Sequence, residues 1–260
     1  MSAILVGYKR WQEQDWLLNR MTLRDLVRAY FTYPAIQAYL ALSVACLAAL
    51  AFVPVAPLPT AVAALLSIAV YPLVWYLLHR YVLHGKYLYK SRYTAAVWKR
   101  IHFDHHQHPN DLSVLFGALY TTLPTIVVVT APIGFAVAGP AGALVAVAAG
   151  LLTTCFYEFC HCIQHLAYQP KNKTLQRMKK LHMAHHFHNE QGNYGITNFF
   201  WDRLFGTIYE SPGRVARSAT VRNLGYAEEE ARRYPWVARL TDGGPSDGRS
   251  RDRKAAAANT

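Results

Sequence analysis

The stretch AYFTYPAIQAYLALSVACLAALAFVPVAPLPTAVAALLSIAVYPLVWYLL, Ala29 to Leu78, contains no Asp, Glu, Lys or Arg over fifty residues. One crossing of a bilayer's hydrocarbon core takes about 20 apolar residues, so the block is long enough for a helix, a turn and a second helix. The breaker cluster Pro54-Val-Ala-Pro57-Leu-Pro59 near its middle marks the turn. A second block, Leu112 to Tyr157, is free of charge over forty-six residues, and Gly139-Pro-Ala-Gly142 divides it in the same way. Spans are predicted at roughly 35–54, 59–79, 115–137 and 141–161. The expected fold is therefore all-α: a multi-pass membrane protein with four transmembrane helices. Two hydrophobic hairpins buried in a soluble protein would be the other reading, but charge-free blocks of this length are hard to explain in water.

The basic residues give the expected orientation. Lys9, Arg10, Arg20, Arg24 and Arg28 precede the first span. Arg80, Lys86, Lys90, Arg92, Lys99 and Arg100 lie between the hairpins, the remaining 16 of 27 follow the fourth span, and the two hairpin turns hold none. The positive-inside rule then places both termini and the central segment in the cytoplasm. Residues 1–28 lack the apolar core of a cleavable signal peptide. The net charge of +12 sits beside the spans, where it meets anionic headgroups, so no nucleic-acid partner is expected. Cys46 and Cys155 fall within spans and Cys160 and Cys162 at a cytoplasmic edge, so disulfides are not expected.

Around the spans, residues 1–33 read as an amphipathic N-terminal helix, lying in the headgroup layer or packed on a cytoplasmic cap. Residues 34–210 form the main membrane domain, with cytoplasmic segments at 80–114 and 162–210. Lys171, Lys173, Arg177, Lys179 and Lys180 ride on a helix expected at the membrane surface. Residues 211–240 form a C-terminal cytoplasmic extension, and 241–260, rich in Gly, Ser, Asp, Arg and Ala, a disordered tail.

All twelve histidines fall in four knots: His79 and His84; His102, His105, His106 and His108; His161 and His165; His182, His185, His186 and His188. Each knot lies beside or soon after an apolar block, which indicates a metal site at a membrane edge. Imidazole suits zinc, copper, iron and nickel. His161 and His165, four apart, share one helix face, as do His102, His105 and His106, and His182, His185 and His186. Each of those three sets can point at a common centre without breaking its helix. His79 and His84 are five apart, roughly 140° around an α-helix, so either the helix unwinds near Gly85 or the two serve different metals. These ten imidazoles are too many for one ion and give two ions about five each, leaving room for an open position where structural zinc would close at about four. His108 and His188 fall outside the repeat and are read as bystanders. Glu158 and Asp104 each either accept from an imidazole N–H or serve as an ordinary edge charge. A thiolate role for Cys160 or Cys162, beside His161, is not needed.

The order His-x4-His, His-x2-His-His, His-x3-His, His-x2-His-His resembles the fatty acid hydroxylase and sterol desaturase superfamily of membrane di-metal oxidases. So does the segment Gly192-Asn-Tyr-Gly-Ile-Thr-Asn-Phe-Phe-Trp-Asp-Arg-Leu-Phe-Gly-Thr207. The spacing is closest to that of membrane fatty acid 2-hydroxylases. The resemblance covers about residues 60–210 and implies a cytoplasmic helical cap carrying a di-iron site, with zinc as a possible substitute in purified protein. His79, His84, His102, His105, His106, His161, His165, His182, His185 and His186 are the implied ligands. It also implies O2-dependent hydroxylation of a fatty acyl chain of a lipid, the alternative being desaturation or methyl oxidation of a sterol, carotenoid or other hydrophobic substrate. Trp201, Phe199, Phe200 and Tyr194 either wall the lipid approach or form the core of the cap. Relatives often carry a fused cytochrome b5 domain, but no histidine precedes His79 here. An external electron donor of ferredoxin or cytochrome b5 type, with its reductase, is therefore expected. A metal transporter or sensor would place polar residues along the spans, which are nearly bare of them; a zinc hydrolase is the remaining alternative.

Overall fold

The computed structural model describes residues 16–241. The expectations for residues 1–15 of the N-terminal helix and for residues 242–260 of the tail fall outside the described residues. The described chain is helical, and its β pairing is limited to an isolated bridge between Leu17 and Asp111. It forms two compact units, one of residues 20–75 and 117–168, the other of residues 17–19, 76–116 and 169–241.

Three helices are long and apolar enough to cross a membrane: Pro34–Phe52, Pro57–Leu83 and Leu112–His165. They make this a membrane protein. Their apolar residues run all round, with large side chains such as Phe52, Leu58, Leu65, Val128 and Phe135 exposed, which is the surface a helix presents to lipid rather than to water. A capping box opens the Leu23–Thr32 helix: Thr22 N donates to Asp25, and Asp25 N donates to the Thr22 hydroxyl. Pro34 then starts the next helix at a position where its missing N–H costs nothing.

Leu119–His165 is 47 residues long, but it is not straight. Ala138 (φ −144°, ψ 28°) and Gly139 (φ 57°, ψ −145°) leave helical geometry. Gly139 adopts the positive φ that only glycine takes without strain. Gly134 and Gly142 are pressed together, and a Cβ on either would run into the other's carbonyl. A Cβ on Gly150 would lie 2.9 Å from both Ile126 and Thr130. In a straight helix those residues would be roughly 30–36 Å apart at 1.5 Å per residue, so the chain folds back at Ala138–Gly139. The break falls at the start of the expected Gly139–Gly142 turn. Small residues let the two arms approach closely, the usual means of packing helices where water supplies no driving force. The Pro34–Ala49 helix packs along this hairpin.

Several buried polar side chains of this unit find partners within it, as an apolar surrounding favours. Ser67 donates to Ala146 O at 2.9 Å, Tyr71 to the Thr154 hydroxyl at 3.1 Å, and Tyr30 to Cys155 O. Ser43, Thr130 and Thr154 bond back one helical turn. All four cysteines are free.

The second unit is a mosaic of short helices around the 15-residue Lys173–Phe187 helix. Asn172 caps the latter, its side chain accepting from Thr174 N and Leu175 N. An aromatic core of Tyr89, Trp98, Phe103 and Tyr226, with Leu224 and Val237, fixes the 88–107 stretch. Trp98 donates to Leu83 O at 2.8 Å and Tyr226 to Tyr234 O at 2.7 Å, so the ring polar atoms are paired as well. Residues 221–237, which the sequence shows only as an extension, supply half of that core.

Candidate metal centre

The site begins with two departures from α-helical geometry. Residues Leu78–Leu83 form a π-helix, with His84 N donating to His79 O at 3.1 Å. The wider turn brings residues five apart onto one side. His79 and His84 therefore face each other with Nε2 atoms 3.2 Å apart and belong to one cluster. A second π-helix, Lys99–Phe103, carries His102. Lys99 Nζ grips both carboxylate oxygens of Asp104 at 2.7 and 2.8 Å across it, so Asp104 serves as an ion-pair partner. His102 Nε2 lies 2.8 Å from His84 Nε2.

These segments, with the Lys173–Phe187 helix, bring His79, His84, His102, His106 and His185 together so that one ring nitrogen from each lies within 4.8 Å of the others. His105 turns away from them. Its ring sits 4.5 Å from that of His186, which sits 4.5 Å from that of His182. The expectation that each His-x2-His-His knot serves a common centre needs correcting here. Adjacent helical residues point about 100° apart, as 3.6 residues per turn require. His105 and His106 therefore face different sides, and so do His185 and His186. His161 and His165 are buried on the last turns of the Leu119–His165 helix, rings 5.1 Å apart, in the geometry their four-residue spacing predicts. His188 Nε2 meets Val215 O at 2.9 Å, and neither it nor His108 joins the five. Glu158 is buried, with one carboxylate oxygen accepting from Gly117 N at 3.1 Å. Tyr194 and Phe199 are buried, Trp201 is half-buried, and Phe200 is exposed.

Three backbone carbonyls set the chemistry of the five. His79 Nδ1 lies 2.6 Å from Tyr194 O, His106 Nδ1 2.9 Å from Val221 O, and His185 Nδ1 2.7 Å from Gly192 O. A carbonyl only accepts, so each Nδ1 carries the proton and each Nε2 presents a lone pair to the centre. Burial, reinforced by neighbouring imidazoles, holds His84, His102 and His106 well below the usual imidazole range, so they are neutral at physiological pH. His106 Nε2 is buried with no hydrogen-bond partner. Neutral imidazoles with carbonyl-fixed tautomers, one left with a bare buried nitrogen, fit a divalent transition metal.

These carbonyls, and the buried Asp202 that bonds the backbone around one of them, escape sequence reading. Asp202 accepts from Tyr194 N, Gly195 N and the Thr207 hydroxyl, each at 2.8 Å. Its burial raises the carboxyl above the ordinary range in spite of those bonds. Only the Trp-Asp-Arg sequence of the motif pointed toward it.

The fatty acid hydroxylase family model matches residues 64–207, more than half of the chain. The chain belongs to the fatty acid hydroxylase family. Among curated members, it is 29% identical to a dihydroceramide fatty acyl 2-hydroxylase of Arabidopsis thaliana, over 55% of this chain and 58% of that one. It is 32% identical to a ceramide very long chain fatty acid hydroxylase of Saccharomyces cerevisiae (54% and 36%) and 32% identical to the fatty acid 2-hydroxylase of Rattus norvegicus (55% and 38%). The match thus spans between 36% and 58% of these hydroxylases' own length. A solved structure described as full-length scs7p with only its hydroxylase domain visible superposes with a TM-score of 0.55 at 26% identity, covering 70% of this chain and 66% of that one. All ten patterned histidines lie within the matched segment.

Proposed function

We propose that this chain is a membrane-bound, O2-dependent di-iron hydroxylase that inserts oxygen into a C–H bond of a lipid acyl chain, at the 2-position as in the relatives' names. The observation that carries the reading is the set of five histidines whose ring nitrogens converge, three of them (His79, His106 and His185) with the Nδ1 proton committed to a backbone carbonyl. His79, His84, His102, His106 and His185 would hold one metal ion. The other five of the repeated pattern, His105, His161, His165, His182 and His186, would complete a set of ten imidazoles for two ions; this part of the reading rests on ligand count alone. Iron at such sites supplies the O2 and C–H chemistry, and zinc would substitute for it in purified protein.

The residues' own part is to orient and to exclude. Carbonyl-held imidazoles keep their lone pairs inward without rearrangement, and the aromatic core behind His102 keeps water from that side of the site. The acyl chain would enter from the bilayer, since the apolar helices offer it a continuous lipid-like surface. Four crossings, two of them from the folded Leu119–His165 hairpin, would place both termini and the histidines in the cytoplasm, where a ferredoxin- or cytochrome b5-type donor can reach them.

Metal analysis of purified protein, followed by mass spectrometry of lipids from cells with and without the gene, tests the reading. We expect two iron or zinc ions per chain and lipids gaining one oxygen atom. Lipids losing two hydrogens would make the chain a desaturase instead, and absence of bound metal would overturn the reading.

A further inference from the structure

The Gly192–Thr207 segment contains no histidine, yet it delivers two of the three carbonyls that hold the five-histidine group: Gly192 O to His185 and Tyr194 O to His79. We propose that Asp202 is a positioning residue for this group. Its carboxylate pins the Tyr194–Gly195 backbone so that those two carbonyls fix the tautomer and ring orientation of His79 and His185. The proposal rests on the metal-site reading above.

The segment is closed tightly around that carboxylate. One oxygen takes Tyr194 N and the Thr207 hydroxyl, and the other takes Gly195 N, all at 2.8 Å. Gly195 is required for this approach, because a Cβ there would run into Asn198 O. Gly192 is required for the same kind of reason, its missing Cβ leaving room for Thr207 O. Asn193, at φ 54°, donates its N–H to Thr207 O at 3.0 Å. Its side chain bonds Leu181 O and Tyr209 O, which fastens the loop to the helix that bears His185. The Thr207 hydroxyl also meets Tyr76 OH at 3.0 Å, and Arg80 donates to the same Tyr76 oxygen at 2.8 Å. Tyr76 and Arg80 flank His79 in the chain. One fully buried carboxylate thus ties the two acceptor carbonyls to both elements that carry their histidines.

Asn in place of Asp202 keeps the shape but presents an NH2 where an acceptor is needed, so one donor among Tyr194 N, Gly195 N and Thr207 loses its partner. The Tyr194 peptide is then free to rotate. His79 loses the acceptor for its Nδ1–H, and a ring that takes the other tautomer turns an N–H toward the centre.

The full chain, purified in detergent and stripped of metal by a chelator, is titrated with Zn(II) against a chromophoric competitor, and the thermal midpoint of the metal-free protein is recorded alongside. The unsubstituted chain should bind two equivalents. Asp202→Asn should weaken one of them by about 10- to 100-fold, the range seen when groups that orient a ligand are lost, and leave the other unchanged, while the fall in the metal-free midpoint measures the separate structural cost of the unpaired donor. In a His79→Ala background the same substitution should have a smaller effect. Both equivalents unchanged, or both weakened together, would overturn the proposal. If Asp202→Asn does not fold, Thr207→Val decides, since it removes one of the three donors. It should weaken the same equivalent by a smaller factor, and unaltered zinc binding would overturn the proposal. An unsubstituted chain that binds no zinc would instead refute the metal-site reading itself.

Discussion

His79 and His84 stand five residues apart in the chain and 3.2 Å apart at their Nε2 atoms, because the backbone between them is wound as a π-helix. An α-helix would aim them roughly 140° apart. The wider turn costs hydrogen-bond quality at the end of an apolar helix, and it brings two histidines from one element into one cluster. Short π segments are often found at functional sites. Here there are two, each carrying a histidine of the same group.

A first prediction separates ligands from bystanders. His102 is one of the five, whereas His188 spends Nε2 on the Val215 carbonyl. His102→Ala should lose about one metal ion per chain by elemental analysis, and lipid hydroxylation with it. His188→Ala should keep both metal ions. The reverse pattern would show that the group is not a metal site.

Much of this was legible in the sequence, and the parts that were not share a physical cause. Charge-free runs report the solvent around a helix, so the apolar helices and the fold-back at Gly139 could be read directly. Histidine spacing reports which residues share a helix face, so His161 and His165 behave as expected. The two π-turns have no composition signal, which is why the spacing of His79 and His84 alone leaves two readings open; the division of His105 from His106 follows instead from the 100° step between adjacent helical residues. The carbonyls of Gly192, Tyr194 and Val221 are backbone atoms that any residue supplies. Leu224, Tyr226 and Val237 lie in a stretch whose average composition is polar, so their place in the core is visible only once Trp98 and Tyr89 are seen beside them.

A second prediction concerns the hairpin. Gly134 and Gly142 touch backbone to backbone, and a side chain on either meets the other's carbonyl. Gly142→Val should force the arms apart and lower stability by about 1–3 kcal/mol, the usual cost of overpacking. The check is a fall in thermal midpoint in detergent, absent for Val128→Leu on the exposed face of the same helix. An unchanged midpoint in Gly142→Val would mean that the two arms are not packed as described.

A third prediction tests orientation. Lysine and arginine precede, separate and follow the two apolar blocks, and the breaks at residues 53–56 and at Ala138–Gly139 carry none. A reporter fused after Thr260 should be active in the cytoplasm, and one inserted at the Ala138–Gly139 break only on the opposite side. Activity of both fusions in the same compartment would rule out the hairpin as a pair of crossings.

The last prediction concerns electron supply. The sequence holds no Gly-x-Gly-x-x-Gly dinucleotide motif, and its twelve histidines are confined to the four knots. Purified protein given reduced nicotinamide alone should therefore turn over no lipid, and activity should appear when a ferredoxin- or cytochrome b5-type donor and its reductase are added. Such donors are commonly acidic, and the basic run on and before the Lys173–Phe187 helix is a candidate face for one. The structure narrows which of its charges can steer a partner. Arg177 is paired with Glu210, and Lys179 is half-buried with its pKa lowered by desolvation, while Lys171, Lys173 and Lys180 are exposed. Reversing those three to Glu should slow donor-dependent turnover, mainly through the association rate. The unsubstituted chain should show a steep loss of rate as salt rises from 0.01 M, where the Debye length is about 30 Å, to 0.15 M, where it is about 8 Å. Reversing Arg177 should do less, since its charge is already neutralised by Glu210. Equal donor kinetics in the triple variant would assign the run to anionic lipid instead, and turnover without any donor would refute the electron-supply prediction.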